Sequence, residues 1–450
     1  MKSENTSLTE GSVISHLLRL SIPASMGMIF NTLYNLSDFW FAGKLSDEAL
    51  AGVSIAGSVF FLILAIGIGI QTGASAVIAP EVGRGNTDGV ADRTDQVLGL
   101  ALLLSVIVTT TGLLWAEPLV RFLGAEEDIA PLSMEYIGIT IIGAFTFILS
   151  FAAAGVLMAM GDTKSNRNVL AYGFFINLAL NPLLTFTLGL GISGLALATV
   201  TIKLASAVYL FWVLSKRLGR WSTPKFKIRR YLELLRQVLP ASFNMLTIIL
   251  GGFVTVSLVG RFGSEHVAGY AVGLRIEQVL LLPALGLNTA LMAIVGQNFG
   301  AGLTARVHET YRKGLFVGLI MAAASIPVMI FLSPAMMDFF TNDVSIRNTG
   351  ATYLRIDAIA FYAYVVIFLS TASLQAIKKP MFPMFLGIAR QFVIPVTINY
   401  ILIVVFDFPM ISIFYTIVSV VVCSALFAHW YTNRQLGMIR DAEILPKPKS

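Results

Sequence analysis

Apolar runs of about 20 residues, long enough to cross a bilayer as helices, recur from one end of this chain to the other, separated by short charged or Gly/Pro-rich breaks. Twelve such spans start near residues 15, 51, 95, 132, 168, 193, 234, 267, 313, 352, 383 and 409. The pattern predicts an all-α polytopic membrane protein. The first dozen residues are polar and the first apolar run is too long for a signal-peptide core, so the first helix is expected to stay in the membrane.

Composition agrees: 56% of the 450 residues are hydrophobic and only 12% are charged, with a mean hydropathy of +0.80. Soluble domains carry roughly 25% charged residues. The distribution of Lys and Arg adds a topology. Twenty-three of the 31 fall at the two ends or in even-numbered loops, among them Lys2, Lys447, Lys449 and the run from Lys216 to Arg236. Odd-numbered loops hold four, namely Lys44, Arg121, Arg261 and Arg347. Positive charge is retained on the cytoplasmic side, so both termini and the even loops are expected there, in a multi-pass protein of the cytoplasmic (inner) membrane. The net charge of +6 therefore reflects topology. Beside a bilayer, the basic run reads as contact with anionic headgroups rather than as a nucleic-acid site. Cys423 is the single cysteine, which excludes an intrachain disulfide.

An internal repeat organises the twelve spans. Leu18-Arg19-Leu20-Ser21-Ile22-Pro23-Ala24-Ser25 matches Leu235-Arg236-Gln237-Val238-Leu239-Pro240-Ala241-Ser242 at an offset of 217. In the same register Gly43 falls on Gly260, Glu48 on Glu265, Gly69 on Gly286, Gly85 on Gly302 and Tyr136 on Tyr353. Repeats of six spans share one orientation, and such paired lobes characterise secondary transporters. The division expected is an N-terminal lobe at 1–215, a cytoplasmic linker at 216–233 with a short amphipathic piece on the membrane surface, and a C-terminal lobe at 234–450.

Within the first span, Asp38 interrupts an otherwise apolar stretch, IFNTLYNLSDFWFAG, and Asn31, Tyr34 and Asn35 precede it at helical spacing. Its repeat mate is Thr255, so the acid is not part of the shared scaffold. An acid roughly 7.5 Å inside the Gly43 end of the helix loses hydration, which favours its neutral form. Ionisable residues within spans are usually functional.

The LxxxxPAS openings, the GxxxxEALAG and GSEHVAG links, and the VGRGN and FGAG helix ends give the chain its resemblance to the multidrug and toxic compound extrusion (MATE) family, over essentially its whole length. The resemblance implies a two-lobed, twelve-helix antiporter that exports lipophilic organic cations in exchange for H⁺ or Na⁺. The first-span pattern resembles the DinF-like branch, which gathers its cation-coupling groups in the N-terminal lobe. Carried over motif by motif, those groups are Tyr34, Asp38, Asn177, Asn181 and Thr199. Some members of that branch have a second Asp where Asn181 stands, so one formal negative charge remains here and H⁺ is the expected coupling ion. No cofactor is implied. The partners expected are small-molecule lipophilic cations and membrane lipids, with no nucleic acid, for a monomer. Bottom up, Asn177 and Asn181 lie one turn apart, and an amide offers both a donor and an acceptor to hold a carboxylate in either protonation state.

Other charged residues within spans need partners of their own. Lys203, deep in the sixth span, calls for a carboxylate or a backbone carbonyl, with Asp38 one candidate. Arg275 and Glu277 point in different directions; Arg355 and Asp357 read as an interface pair; Arg390 is placed to snorkel. Asn31, Lys203 and Glu277 are secondary site candidates, and Pro23, which removes one helical hydrogen bond, is a candidate bending point. A lipid or polysaccharide flippase would need more cationic residues in its cavity. An intramembrane enzyme is disfavoured, because His16, His266, His308 and His429 are scattered and no nucleophile–base pair or metal motif appears.

Overall fold

The computed structural model describes residues 7–124 and 126–444, so Lys2, Lys447 and Lys449 lie outside it. Among the described residues, eleven helices are long and apolar enough to span a membrane, and one bent pair supplies a twelfth. The six spans of the first repeat are α1 (Val13–Leu45), α2 (Asp47–Gly83), α3 (Thr87–Phe122), the pair α4 (Ala130–Ile142) and α5 (Ala144–Ala159), α6 (Lys164–Pro182) and α7 (Gly191–Leu218). The pair α4–α5 is bent by 48° at Gly143. A π-helical turn, Leu183–Thr187, prolongs α6 beyond Pro182.

The second repeat starts with α8 (Ile228–Gly260), α9 (Ser264–Gly300) and α10 (Thr304–Phe331). The short α11 (Ser333–Asp338) follows, then α12 (Val344–Asp357) and α13 (Phe361–Ala376), which together make one span. The chain closes with α14 (Met381–Ile388), α15 (Ile394–Tyr400) and α16 (Ile411–Ile444). Two further π-helical turns, Ala389–Val393 and Ile401–Val405, flank α15.

The link before α2 is helix-capping chemistry, whereas its counterpart before α9 starts at Gly263 without a side-chain cap. Ser46 accepts a hydrogen bond from the Ala49 N–H at 3.0 Å, with Asp47 and Glu48 in the first turn of α2. That pairs acidic side chains with the positive helix end. At the far end of α2, Gly85 takes φ +68°, and its repeat mate Gly302 takes φ +76° after α9. A left-handed residue there ends the helix, and glycine adopts it without a Cβ clash. Asn86 then caps α3 through the Gly89 N–H at 2.9 Å.

Packing divides the chain into two compact units, and the division differs from the one expected from the repeat. One unit is Met26–Ser242; the other joins the described residues up to Ser25 to those from Phe243 onward. Both boundaries fall immediately after the repeated Pro-Ala-Ser, inside α1 and inside α8, rather than at 215 and 234. The reason is a close helix approach made twice. A Cβ placed on Gly69 would lie 2.0 Å from Ser242 Oγ and 2.8 Å from the Val238 carbonyl oxygen. On the repeat mate Gly286 it would lie 2.0 Å from Ser25 Oγ and 2.7 Å from the Ser21 carbonyl oxygen. The opening turns of α8 thus pack on α2, and those of α1 on α9.

Each unit has its own apolar core. In the first it includes Ile70, Ile78, Ile137, Phe147 and Leu157; in the second, Tyr353, Phe361 and Phe414.

Between α7 and α8 the linker is not helical, and its last residues, 228–233, form the opening turns of α8. Gly219 ends α7 in a left-handed turn and the chain runs without a helix to Ile228. Its basic residues are tied to carboxylates of α3. Arg220 reaches Asp95 at 2.8 Å, Lys225 reaches Asp92 at 3.0 Å and Asp95 at 3.1 Å, and Arg230 pairs with Asp92. Asp95 is fully buried, and the Thr223 N–H completes its shell at 3.1 Å. Bonds to Asp92 and then Asp95 hold the Lys225 ammonium above its usual range. Headgroup contact is therefore not the whole explanation of the basic run; part of it neutralises acids on the same lobe.

Replacing Gly69 or Gly286 by Ala should lower the thermal unfolding temperature in detergent, each by the equivalent of about 1–3 kcal/mol, because backbone atoms stand in the way. A Cβ added at Gly57 would have nothing within 4 Å, and Gly57→Ala should be neutral or slightly stabilising.

Candidate functional site

Three helices of the unit Met26–Ser242 bring polar side chains to one point. Tyr34, Ser37 and Asp38 follow one another at i, i+3 and i+4 on α1, which sets them on one face. Asn177 and Asn181, one turn apart, come from α6, and Thr199 comes from α7. Asp38 is 7% exposed and both asparagines are fully buried.

The bonds close around the carboxylate. Asn177 Nδ2 and Asn181 Nδ2 each donate to Asp38 Oδ1 at 2.8 Å, and Thr199 Oγ1 donates to Oδ2 at 3.2 Å. Behind them, Tyr34 Oη donates to Thr199 Oγ1 at 3.1 Å, Ser37 Oγ to Asn177 Oδ1 at 2.7 Å, and Asn181 Nδ2 also reaches Asn177 Oδ1 at 3.1 Å. An ionised carboxylate accepts only, and every neighbour here presents it a donor. One acceptor is spare: Asn181 Oδ1 is buried without a hydrogen-bond partner. A protonated Asp38 would need such an acceptor for its O–H.

Lys203, one turn beyond Thr199 on α7, sits over the Tyr34 ring at 5.5 Å and the Phe147 ring at 5.8 Å. It acts on Asp38 electrostatically, so of the two partners open to it in the sequence, the carboxylate is the one it answers to, across a distance rather than by a direct ion pair. The aromatic faces hold the ammonium by cation–π attraction.

All five residues expected at the site, Tyr34, Asp38, Asn177, Asn181 and Thr199, come together. Two residues were missed. Ser37 adjoins Asp38 in sequence, and adjacency hid that it also lies three residues after Tyr34. Tyr136 on α4 stands within electrostatic reach of Asp38 and Thr199; its invariance under the 217-residue repeat was the signal available.

The structure places the other residues singled out in the sequence as follows. Asn31, half-buried, lies on the same face as Asp38 but two turns, about 10 Å, back along the axis, and has no part in the bonds described around the carboxylate; Asn35 is exposed. Glu277 belongs to the other unit, where Tyr353 Oη donates to its Oε2. Arg355 and Asp357 do not pair. Two residues apart on a helix they diverge, Arg355 to the surface and the Ile330 carbonyl at 3.3 Å, Asp357 into the interior. Arg390 does not snorkel; it is 7% exposed. Pro23 is buried inside α1, which stays helical from Val13 to Leu45. Thr255, the repeat mate of Asp38, only bonds back to the Gly251 carbonyl of its own helix at 2.9 Å.

Known proteins resemble the chain along its length. The model of the MatE family matches residues 23–183 and again residues 240–401. A protein of Shewanella oneidensis named as an FAD transporter is 27% identical over 383 residues, covering 83% of this chain and 84% of that protein. The probable multidrug resistance protein YpnP of Bacillus subtilis is 27% identical over 303 residues, covering 66% and 68%. A crystal structure described as MATE in the bent conformation superposes with a TM-score of 0.92 at 24% identity, covering 99% of this chain and all of that one. At that identity it shows the fold: twelve helices in two lobes.

Removing one amide should expose how much the cluster holds. Asn177→Leu leaves Asp38 one donor short in a water-poor site, so unfolding in detergent should become easier by about 1–3 kcal/mol. Thr255→Val, which loses a single bond to its own helix, should unfold like the parent.

Proposed function

The chain belongs to the MatE family, whose members are membrane transporters and not enzymes, and from that premise we propose that it exports lipophilic, often cationic small molecules in exchange for protons, with Asp38 as the proton-binding group. The reading is supported by the multidrug resistance names of relatives such as YpnP. The observation that carries it is the Asp38 cluster: one buried carboxylate, three donors directed at it, and one buried acceptor in reserve at Asn181.

The mechanism follows from that inventory. While Asp38 is ionised, the two amides and Thr199 hold it, and Lys203 offsets its charge. A proton arriving from outside converts it to a neutral acid, whose O–H finds Asn181 Oδ1 once an amide turns. Loss of the negative charge weakens the hold of the lobe on a bound organic cation, and it also frees Lys203, which then repels that cation. Both changes favour release outward. Proton loss to the cytoplasm restores the starting state. The positive-inside distribution supports cytoplasmic termini in the inner membrane, so this direction is efflux.

A proton suits the site better than Na⁺. A dehydrated Na⁺ needs several oxygens around it, whereas here two NH₂ groups face Asp38 and an ammonium stands behind it. The lipid or polysaccharide flippase reading has less support, since phosphate needs several converging cations and, among the described residues, Lys203 is the one cation placed by the Asp38 site.

Purified protein in liposomes tests the proposal, with tetraphenylphosphonium as the probe and ΔpH and the Na⁺ gradient imposed separately. ΔpH alone should drive uptake into inverted proteoliposomes, and Asp38→Asn should reduce it to the level of empty vesicles. Uptake that follows Na⁺ at clamped pH and ignores ΔpH overturns the proton assignment. Uptake of FAD instead of the organic cation overturns the substrate class. Asn181→Asp restores a second negative charge and should move the exchange toward Na⁺ dependence.

A further inference from the structure

The hairpin between the last two spans departs from its repeat mate in a way the Asp38 mechanism does not use. Its register is set by the backbone. In the first repeat the Leu188 N–H donates to the Leu183 carbonyl at 2.9 Å, and the Leu190 N–H to the Leu184 carbonyl at 3.1 Å. In the second, the Phe406 N–H donates to the Ile401 carbonyl at 3.1 Å, and the Phe408 N–H to the Leu402 carbonyl at 2.9 Å. The π-helical turns Leu183–Thr187 and Ile401–Val405 are therefore equivalent at an offset of 218, one residue more than in the earlier spans, and Asn181 falls on Asn399.

The two hairpins pack differently. A Cβ added at Gly194 would lie 2.8 Å from the Thr185 nitrogen, so α7 rests directly on its π turn. The equivalent of Gly194 is Ser412 on α16. There the helix stands off from the turn, and Ser412 and Leu402 line a cavity of about 520 Å³ together with Ile398, Phe408, Tyr415 and Thr416. Sites for small ligands usually measure about 300–1,000 Å³.

The other differences across the repeat run the same way. Leu190 is replaced by Phe408, Leu197 by Tyr415 and Ala198 by Thr416. The left-handed position in the turn is Gly189 at φ +66° in the first repeat and Asp407 at φ +54° in the second. Glycine takes that conformation freely and Asp takes it at a cost, so the turn itself does not call for a carboxylate. Thr416 Oγ1 is tied to the Ser412 carbonyl at 2.9 Å, whereas Ser412 Oγ is buried without a hydrogen-bond partner. An apolar cavity with two aromatic rings in its wall thus holds one free hydroxyl, and the exposed Asp407 adjoins Phe408 in the chain.

Charge narrows the occupant. Asp407 is the only Asp, Glu, Lys or Arg between Arg390 and Arg434. A phospholipid headgroup would bring a phosphate, for which this stretch has no counter-charge. A cation free of phosphate meets a carboxylate and two aromatic faces.

We propose that the hairpin between α15 and α16 holds a peripheral site for a lipophilic organic cation, with its apolar body in the cavity against Phe408 and Tyr415 and its charge toward Asp407. The site rests on the substrate class read above and adds a second place where that class binds. Asp407 lies in an odd-numbered loop, on the outer side in the orientation given by the Lys and Arg distribution.

Photolabelling of the full chain tests this, in bilayers of phosphatidylethanolamine and phosphatidylglycerol, with tetraphenylphosphonium carrying an aryl azide as the probe and peptide mass spectrometry as the readout. A labelled peptide within 398–420 should appear, vanish with excess unlabelled tetraphenylphosphonium, and persist in Asp38→Asn. Asp407→Asn keeps a residue that tolerates the left-handed turn and should reduce that label several-fold. Ser412→Leu fills the cavity and should abolish it. Displaceable label elsewhere in the chain with none at 398–420, or a label there that both variants leave intact, overturns the site without touching the proposed export. A photoreactive phosphatidylethanolamine that labels 398–420 and is not displaced by tetraphenylphosphonium also overturns it, because the occupant is then lipid. No displaceable label anywhere in the chain overturns the substrate class on which both readings rest.

Discussion

A carboxylate placed where water is scarce must be given its hydrogen bonds by the protein, and the N-terminal unit is arranged around that requirement. Asp38 is buried, and no single helix could satisfy it. Its donors come from α6 and α7, and the groups that orient those donors, Ser37 and Tyr34, come from α1 itself. Three helices are thereby fixed in rotation about their axes, because a turn of α6 or α7 by one residue would replace an amide or the Thr199 hydroxyl by an apolar side chain. The cost of leaving a buried polar group unpaired thus becomes a constraint on helix packing.

The same constraint makes the site responsive. A cluster of donors is matched to an anion, and a proton changes the required pattern from three donors to two donors and an acceptor. Amide groups can meet both patterns without moving their helices. A second Asp in place of Asn181 would instead add charge, and so would favour a metal cation. Lys203 strengthens the contrast, since its ammonium already supplies the positive charge that a bound Na⁺ would otherwise provide.

Close helix approach is the second theme, and it is carried by glycine. Gly69 and Gly286 let the opening turns of α8 and α1 lie directly against α2 and α9. Without apolar solvent exclusion to drive association inside a bilayer, helix pairs depend on such intimate van der Waals contact. Each of these contacts draws the first turns of a repeat into the unit built mainly from the other repeat. The repeated Pro-Ala-Ser sits at the point of exchange, with Pro23 and Pro240 each removing one main-chain hydrogen bond shortly before it.

Much of this was legible in the residues alone, for physical reasons. Membrane spans follow from hydropathy because a bilayer admits few alternatives to the helix, so the starts of all twelve were readable. The repeat followed from matched glycines and prolines, whose backbone roles leave little freedom of substitution. Asp38, Asn177 and Asn181 stood out because polar groups are rare in lipid and helical spacing says which of them share a face. Tertiary structure alone decided the rest. Ser37 and Tyr136 joined the site, and Asn35 left it, because helix rotation is set by packing against neighbours, whereas Asn31 left it because it lies two turns along the axis from the carboxylate. Asp357 and Arg390 reached the interior because the helix breaks around them turn their side chains inward, and the linker bound α3 because Asp92 and Asp95 happened to face it. Spacing along one helix is local information, whereas the partner of a buried charge is chosen by which distant helix comes to lie beside it.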